Sequence, residues 1–243
     1  MSIKITNLKK EYDDVVAVNN LNLEINDGEL FSLLGVNGAG KTTLIKMLAT
    51  LTKPTNGDAY INGYSIISED EKVKELIDIS MQETAIARKL TVEENIEFYA
   101  KLNGLSDAEI SESKTYLYKV FGLGEVKNKT AYKLSGGWQR KLSIALALVT
   151  KPKVLFLDEP TLGLDVIARR ELWKTIKSLK GNMTVILTTH YMEEAQELAD
   201  RIGIMKDGNL LFVGEKEELY RLTNKSNVEE SFVYVVSGGE LDE

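Results

Sequence analysis

The chain has 243 residues, 43% of them hydrophobic and 28% charged, which suits a single soluble α/β domain with a sizeable core. A formal net charge of −7 argues against broad adhesion to DNA, RNA or anionic lipid, so no nucleic-acid partner is expected. With no cysteine there is no disulfide framework, thiolate nucleophile or Cys-based zinc site. The first residues contain no apolar signal segment, and runs such as VLFL and TVIL fall far short of the roughly 20 residues of a membrane span. Any service to a membrane is therefore expected to run through another polypeptide.

In chain order, SIKITNL and LNLEI alternate in strand fashion and predict antiparallel β structure in the first thirty residues. ELFSLLG (29–35) then enters a Gly-rich turn, followed by the helical KTTLIKMLATL (41–51). A second β patch, DAYINGYSI, precedes a mostly helical stretch over about 85–150. There, Thr91 with Glu94 and Ser106 with Glu109 have capping-box spacing. Val92, Ile96 and Tyr99 share one helical face, and Ile110, Leu117 and Phe121 share another. After Lys153 the runs KVLFLD and TVILTTH read as parallel strands covered on both faces. VIARRELWKTIKSLK between them reads as a crossover helix, which completes a βαβ unit. Its basic residues Arg169, Arg170, Lys177 and Lys180 are expected to form a solvated face.

The chemistry begins at GVNGAGKT (35–42), which fits G-x-x-x-x-G-K-[ST] between a strand and a helix. Gly35, Gly38 and Gly40 let the backbone curl, so that N–H groups of a loop including Asn37 and Ala39 point at phosphate oxygens. The helix N-terminus adds partial positive charge. Lys41 would reach the β- and γ-phosphates, and the Thr42 hydroxyl would hold Mg²⁺. A dinucleotide fingerprint does not fit, because a G-x-G started at Gly38 puts Thr43 where the third glycine belongs.

VLFLDE (154–159) ends a strand on two acids. By itself the pair would read as a cap or turn; downstream of a phosphate loop, Asp158 is placed for Mg²⁺ and Glu159 for orienting an attacking water. His190 ends the strand TVILTTH, whose carboxyl end would face the same nucleotide, where it could donate to the γ-phosphate.

With these motifs in this order, nearly the whole chain resembles the nucleotide-binding subunits of ATP-binding cassette (ABC) transporters. GVNGAGKTT resembles their Walker A segment, with Thr43 included, and VLFLDEP resembles Walker B with its catalytic glutamate. TLGLD (161–165) is similar to the D-loop, TTH (188–190) to the switch histidine, and SMQE (80–83) to the Q-loop. The resemblance implies that Tyr12 stacks on adenine, and that Gln82 contacts Mg²⁺ or the water and reports to a membrane partner. It also gives a meaning to LSGGWQ (134–139), which resembles the family's signature: Ser135 and the N–H groups of Gly136 and Gly137 would hold the γ-phosphate bound by a facing chain. Asp165 would lie at that interface. The family more often carries Gln or Met where Trp138 stands.

The fold implied by the resemblance is a P-loop NTPase (RecA-like) core with an N-terminal antiparallel β subdomain and an α-helical subdomain over about 85–150. The ATPase domain would span 1–220, with a short tail over 221–243. The implied activity is hydrolysis of Mg·ATP, with Lys41, Gln82, Glu159 and His190 catalytic. Two chains, identical or paralogous, would sandwich two ATP molecules on the cytoplasmic face of a membrane and drive a separate transmembrane permease. ETAIARKLTVEENIEFYAKLNGLS and NVEESFVYVVSGGE resemble the branch that mostly exports drugs, lipids, polysaccharides, peptides or ions. The alternatives are a soluble, non-transport ABC ATPase acting as an assembly scaffold, and a nucleotide-dependent switch.

Overall fold

The structure, a computed structural model, describes residues 1–239; residues 240–243 of the expected tail lie outside the described residues. The first strands, β1 (Ile3–Tyr12) and β2 (Val15–Ile25), pair antiparallel. They are followed by β3 (Leu30–Leu34), α1 (Lys41–Leu48), β4 (Asn56–Ile61) and β5 (Tyr64–Ser65). One sheet has the order β2-β1-β4-β5, antiparallel throughout, as the alternation of buried Ile3 and Ile5 with exposed Lys4 and Thr6 predicts. α1 is shorter than the expected 41–51. It stops at Ala49 because Thr50 turns left-handed at φ 58°, and the N–H groups of Leu51 and Thr52 fold back onto the Lys46 carbonyl.

α2 (Asp70–Lys74) leads to β6 (Ile77–Ser80), and the helical stretch holds α3 (Val92–Leu102), α4 (Asp107–Phe121) and α5 (Gly136–Leu146). Both expected capping boxes are present: Thr91 and Ser106 each accept from the N–H three residues on, and Glu94 and Glu109 bond back. β7 (Val154–Asp158), α6 (Val166–Leu179) and β8 (Thr184–Thr189) form the expected βαβ unit. α7 (Met192–Leu198), β9 (Arg201–Lys206), β10 (Asn209–Gly214), α8 (Lys216–Thr223) and α9 (Val228–Ser237) complete the described chain.

The second sheet has the order β10-β9-β3-β8-β7-β6, parallel except for β10. Both its faces are covered. Leu155, Leu157, Val185 and Leu187 pack with the helices α3 to α6, whereas Val154, Phe156 and Ile186 pack with α1 and the antiparallel sheet. Period-2 sorting onto two buried faces is why these strands read as unbroken apolar runs.

Of the expected solvated residues, Arg170, Lys177 and Lys180 are exposed and Arg169 is half-buried. The Arg169 guanidinium lies 4.5 Å from the centre of the Tyr191 ring, and Lys180 pairs with Asp200, so these two cations hold α6 to the segments around α7. Near the C-terminus, Asn227 caps α9, Val228 and Phe232 are buried beside Ile202 and Ile204, and Lys206 Nζ donates to the Val236 carbonyl at 2.8 Å.

Candidate nucleotide site

Parallel pairing brings four strand ends to one edge of the sheet. Leu34 is level with Thr189, Asp158 with Thr188, and Ser80 with Leu157. The loops that leave β3, β6, β7 and β8 therefore emerge together, outside the carboxyl ends of the strands, where open α/β sheets bind ligands. Between them lies a cleft of about 450 Å³ lined by Asn37, Gly38, Ala39, Gly40, Lys41, Thr42, Thr43, Gln82 and Glu159, and by Val15, Val16, Ala17 and Asp207. That volume is within the range that holds a nucleotide-sized ligand.

The glycines of the loop are needed for close approach. A Cβ on Gly35 would lie 2.5 Å from the Met205 carbonyl oxygen, and one on Gly40 would lie 2.2 Å from that of Ala17. Gly40 also caps α1 at φ 102°, a conformation side chains rarely adopt. Lys41 starts the helix and is buried. Its ammonium donates to the carbonyls of Gly35 at 2.7 Å and Val36 at 3.1 Å, and lies 3.9 Å from Glu159 Oε1. Burial pulls its pKa below the ordinary lysine value, against the opposing pull of Glu159 and Asp158.

Asp158 is buried beneath the loop. Its carboxylate accepts from Thr42 Oγ1 at 3.1 and 3.2 Å and from Thr188 Oγ1 at 2.5 Å. Hard oxygen donors grouped in this way suit Mg²⁺, which is held by one or two protein oxygens together with substrate phosphates. Among the described residues no group of three His, Cys, Asp or Glu could hold a metal by itself, so the fit is to an ion shared with a nucleotide.

Glu159 follows in the left-handed region at φ 47°, its N–H bonded to the carbonyl and hydroxyl of Thr188, each at 3.1 Å. This turn separates the two acids: Asp158 points down to Thr42, and Glu159 points into the cleft. His190 Nδ1 is 2.8 Å from Glu159 Oε2, close in distance but not aligned for a hydrogen bond. Glu159 thus sits between a lysine and the only histidine.

The remaining expected residues are placed elsewhere. Tyr12, at the tip of β1, is 44% exposed and outside the cleft lining, with Lys10 Nζ 4.7 Å from its ring centre. Asp165 caps α6, its carboxylate accepting from the N–H groups of Ile167 and Ala168. Ser135, Gly136 and Gly137 begin α5 and do not line the cleft. Ser135 and Gly136 are exposed, and the Ser135 side chain makes no cap bond to its own helix. Trp138 leaves α5 regular; its ring packs beside Gly122 and under Lys141, 4.7 Å from the ring centre.

Sequence reasoning missed Val15, Val16 and Asp207, and gave Arg140, which follows the LSGGWQ segment and matches the family there, no role. The hairpin turn after β9 brings Asp207 to the cleft, fixed by a 3.1 Å bond from the Gly208 N–H to the Ala39 carbonyl. The Asp207-Gly208 pair was a legible turn signal, but its neighbour was not. Arg140, on α5, is 4% exposed and donates to the carbonyls of Met81, Gln82, Asp158 and Pro160 at 2.5, 3.2, 3.0 and 2.8 Å. Burial lowers its pKa to about 10.

A glycine loop at a helix start, a buried lysine, a Thr–Asp pair and a strand-end glutamate on a parallel sheet define a P-loop nucleoside triphosphatase. The family model described as ABC transporter matches residues 18–162, more than half of the chain. Phospholipid-transporting ATPase ABCA3 of Homo sapiens is 43% identical over 216 residues, 87% of this chain and 13% of that protein. CbiO1 from Clostridium perfringens, described as part of the ABC transporter complex cbiONQ, superposes with a TM-score of 0.83 at 30% identity, covering 90% of both chains. The ATP-binding cassette MJ0796, in a dimeric post-hydrolysis state bound to ADP and Pi, superposes with a TM-score of 0.77 at 28% identity, covering 88% of this chain and 98% of that one.

The chain belongs to the ABC transporter family and is similar to the ATP-binding domains of its members. It spans 13% of the length of human ABCA3 and 27% of that of ABC transporter A family member 8 of Arabidopsis thaliana. No helix among the described residues is long and apolar enough to cross a membrane.

Proposed function

We propose that this chain hydrolyses ATP to power transport, in the export direction, through a membrane-spanning partner on whose cytoplasmic side it sits. The observation that carries the chemistry is the placement of Glu159, with its two oxygens 3.9 Å from Lys41 Nζ and 2.8 Å from His190 Nδ1. A carboxylate at the floor of a phosphate cleft can hold and polarise a water in line with the terminal phosphate. Lys41 would leave its two carbonyls for the β- and γ-phosphates, and His190 would donate to the γ-phosphate from its other nitrogen. Thr42 and Asp158, with Gln82, would hold Mg²⁺, which when bound neutralises charge on the phosphates. Tyr12, with Val15 and Val16 beside the cleft, would cover the base.

The exposed start of α5 is the second half of the proposal. Helix-start N–H groups and a serine hydroxyl that makes no cap bond would form an anion site, with no side-chain cap among the described residues. A second chain, identical or paralogous, would present its bound γ-phosphate there, so that binding closes the pair and hydrolysis releases it. The dimeric state of MJ0796 supports this reading. We place the contact with the membrane partner near Gln82 and the helical stretch of about 85–150, within the ATPase domain of 1–220.

Phosphate release tests the proposal. The wild-type chain should turn over Mg·ATP, whereas Glu159→Gln should bind ATP and pair but lose 10²- to 10⁴-fold in kcat. Unimpaired turnover by Glu159→Gln would remove Glu159 from this role.

A further inference from the structure

Arg140 directly follows LSGGWQ on α5, and its side chain reaches two other nucleotide-site motifs. All four of its bonds go to backbone carbonyls. Two of these, Asp158 and Pro160, flank Glu159, and the other two, Met81 and Gln82, carry the loop that holds Gln82. A guanidinium can do this because its donors form a rigid planar fork; the compact ammonium of lysine cannot reach the same set. The buried carboxylates of Asp158 and Glu194 favour its charge from a distance, but every hydrogen bond that its guanidinium makes among the described residues goes to a neutral carbonyl. What the fork does is fix the backbone on either side of a glutamate held at φ 47°.

Arg140 also stands five residues after Ser135 on one continuous helix, about 7.5 Å along its axis. We infer that Arg140 is a positioning residue: it sets Glu159 and the Gln82 loop of its own chain, and ties them to the α5 start that reads the other chain's phosphate. This rests on the proposed ATP sandwich. It adds a route by which engagement of α5 at one site adjusts the water-activating carboxylate at the other. Arg140 itself does not line the cleft, so ATP affinity should depend on it little.

The test is steady-state and single-turnover hydrolysis by the full chain carrying Arg140→Lys, Glu159→Gln or both, with ATP binding and melting measured in parallel. Arg140→Lys is expected to lower kcat by 10- to 100-fold, with KM and ATP Kd within about threefold of wild type, since misplacing a reacting group by about 1 Å costs that much. The double variant should be no slower than Glu159→Gln alone, because Arg140 acts through Glu159. Unchanged kcat in Arg140→Lys, or losses that multiply in the double variant, would overturn the inference. So would loss of the fold in both Arg140→Lys and Arg140→Met, which would make the residue part of the framework. If Glu159→Gln itself turns over normally, it is the proposed function that fails.

Discussion

At the starts of α4 and α5 the chain places the same residue type in nearly the same backbone conformation, Ser106 at φ −68°, ψ 161° and Ser135 at φ −63°, ψ 160°. Ser106 accepts from the Glu109 N–H, and the Glu109 carboxylate accepts from the Ser106 N–H and hydroxyl at 2.8 and 2.6 Å. Ser135 makes no such bond, and three residues on stands Trp138, which has no carboxylate to send back. One helix start is closed on itself; the other has no side-chain cap. In α4 the acid at the third position takes the N–H and hydroxyl of the capping serine, and a negative charge there would repel phosphate; the indole in α5 does neither.

The sharpest way to break this contrast is Trp138→Glu, which turns the start of α5 into a copy of that of α4. A carboxylate about 5 Å from a phosphate charge costs about 3 kcal/mol at an effective dielectric of about 20. Turnover and ATP-driven pairing should therefore fall on the order of 100-fold, while ATP binding to the single chain is kept. Trp138→Gln, neutral at the same position, should stay within about threefold of wild type in the same phosphate-release assay.

Next in size is Ser135→Ala. Losing one hydrogen bond to a charged group costs about 1.5–3 kcal/mol, so pairing in the presence of ATP should weaken by about 10- to 100-fold in sedimentation. The smallest effect belongs to the closed start. Ser106→Ala should cost about 1 kcal/mol of stability, read as a lowered denaturation midpoint, with turnover per folded molecule unchanged.

The same contrast marks what the residues alone disclosed. Capping boxes, the phosphate loop and the strand-end acids are local patterns, in which a few neighbouring residues dictate both conformation and chemistry. Thr91, Ser106, Gly40 and Asp158 were legible for that reason. Arg140 and Asp207 were not, because their roles come from parts of the chain tens to more than a hundred residues away: a helix side chain reaching β6 and β7, and a hairpin turn docking on Ala39. The expected solvated face of α6 held at Arg170, Lys177 and Lys180 and failed only at Arg169, which meets Tyr191 after folding. The early end of α1 at Ala49 came from a left-handed Thr50 that no glycine announced.

Sedimentation of Glu159→Gln beside the Trp138→Glu/Glu159→Gln double variant, each saturated with Mg·ATP, is the most direct measurement. If the open helix start of one chain grips the triphosphate of another, the single variant sediments as a pair and the double variant as single chains that still hold ATP. Both variants sedimenting in the same state, paired or unpaired, would contradict the account.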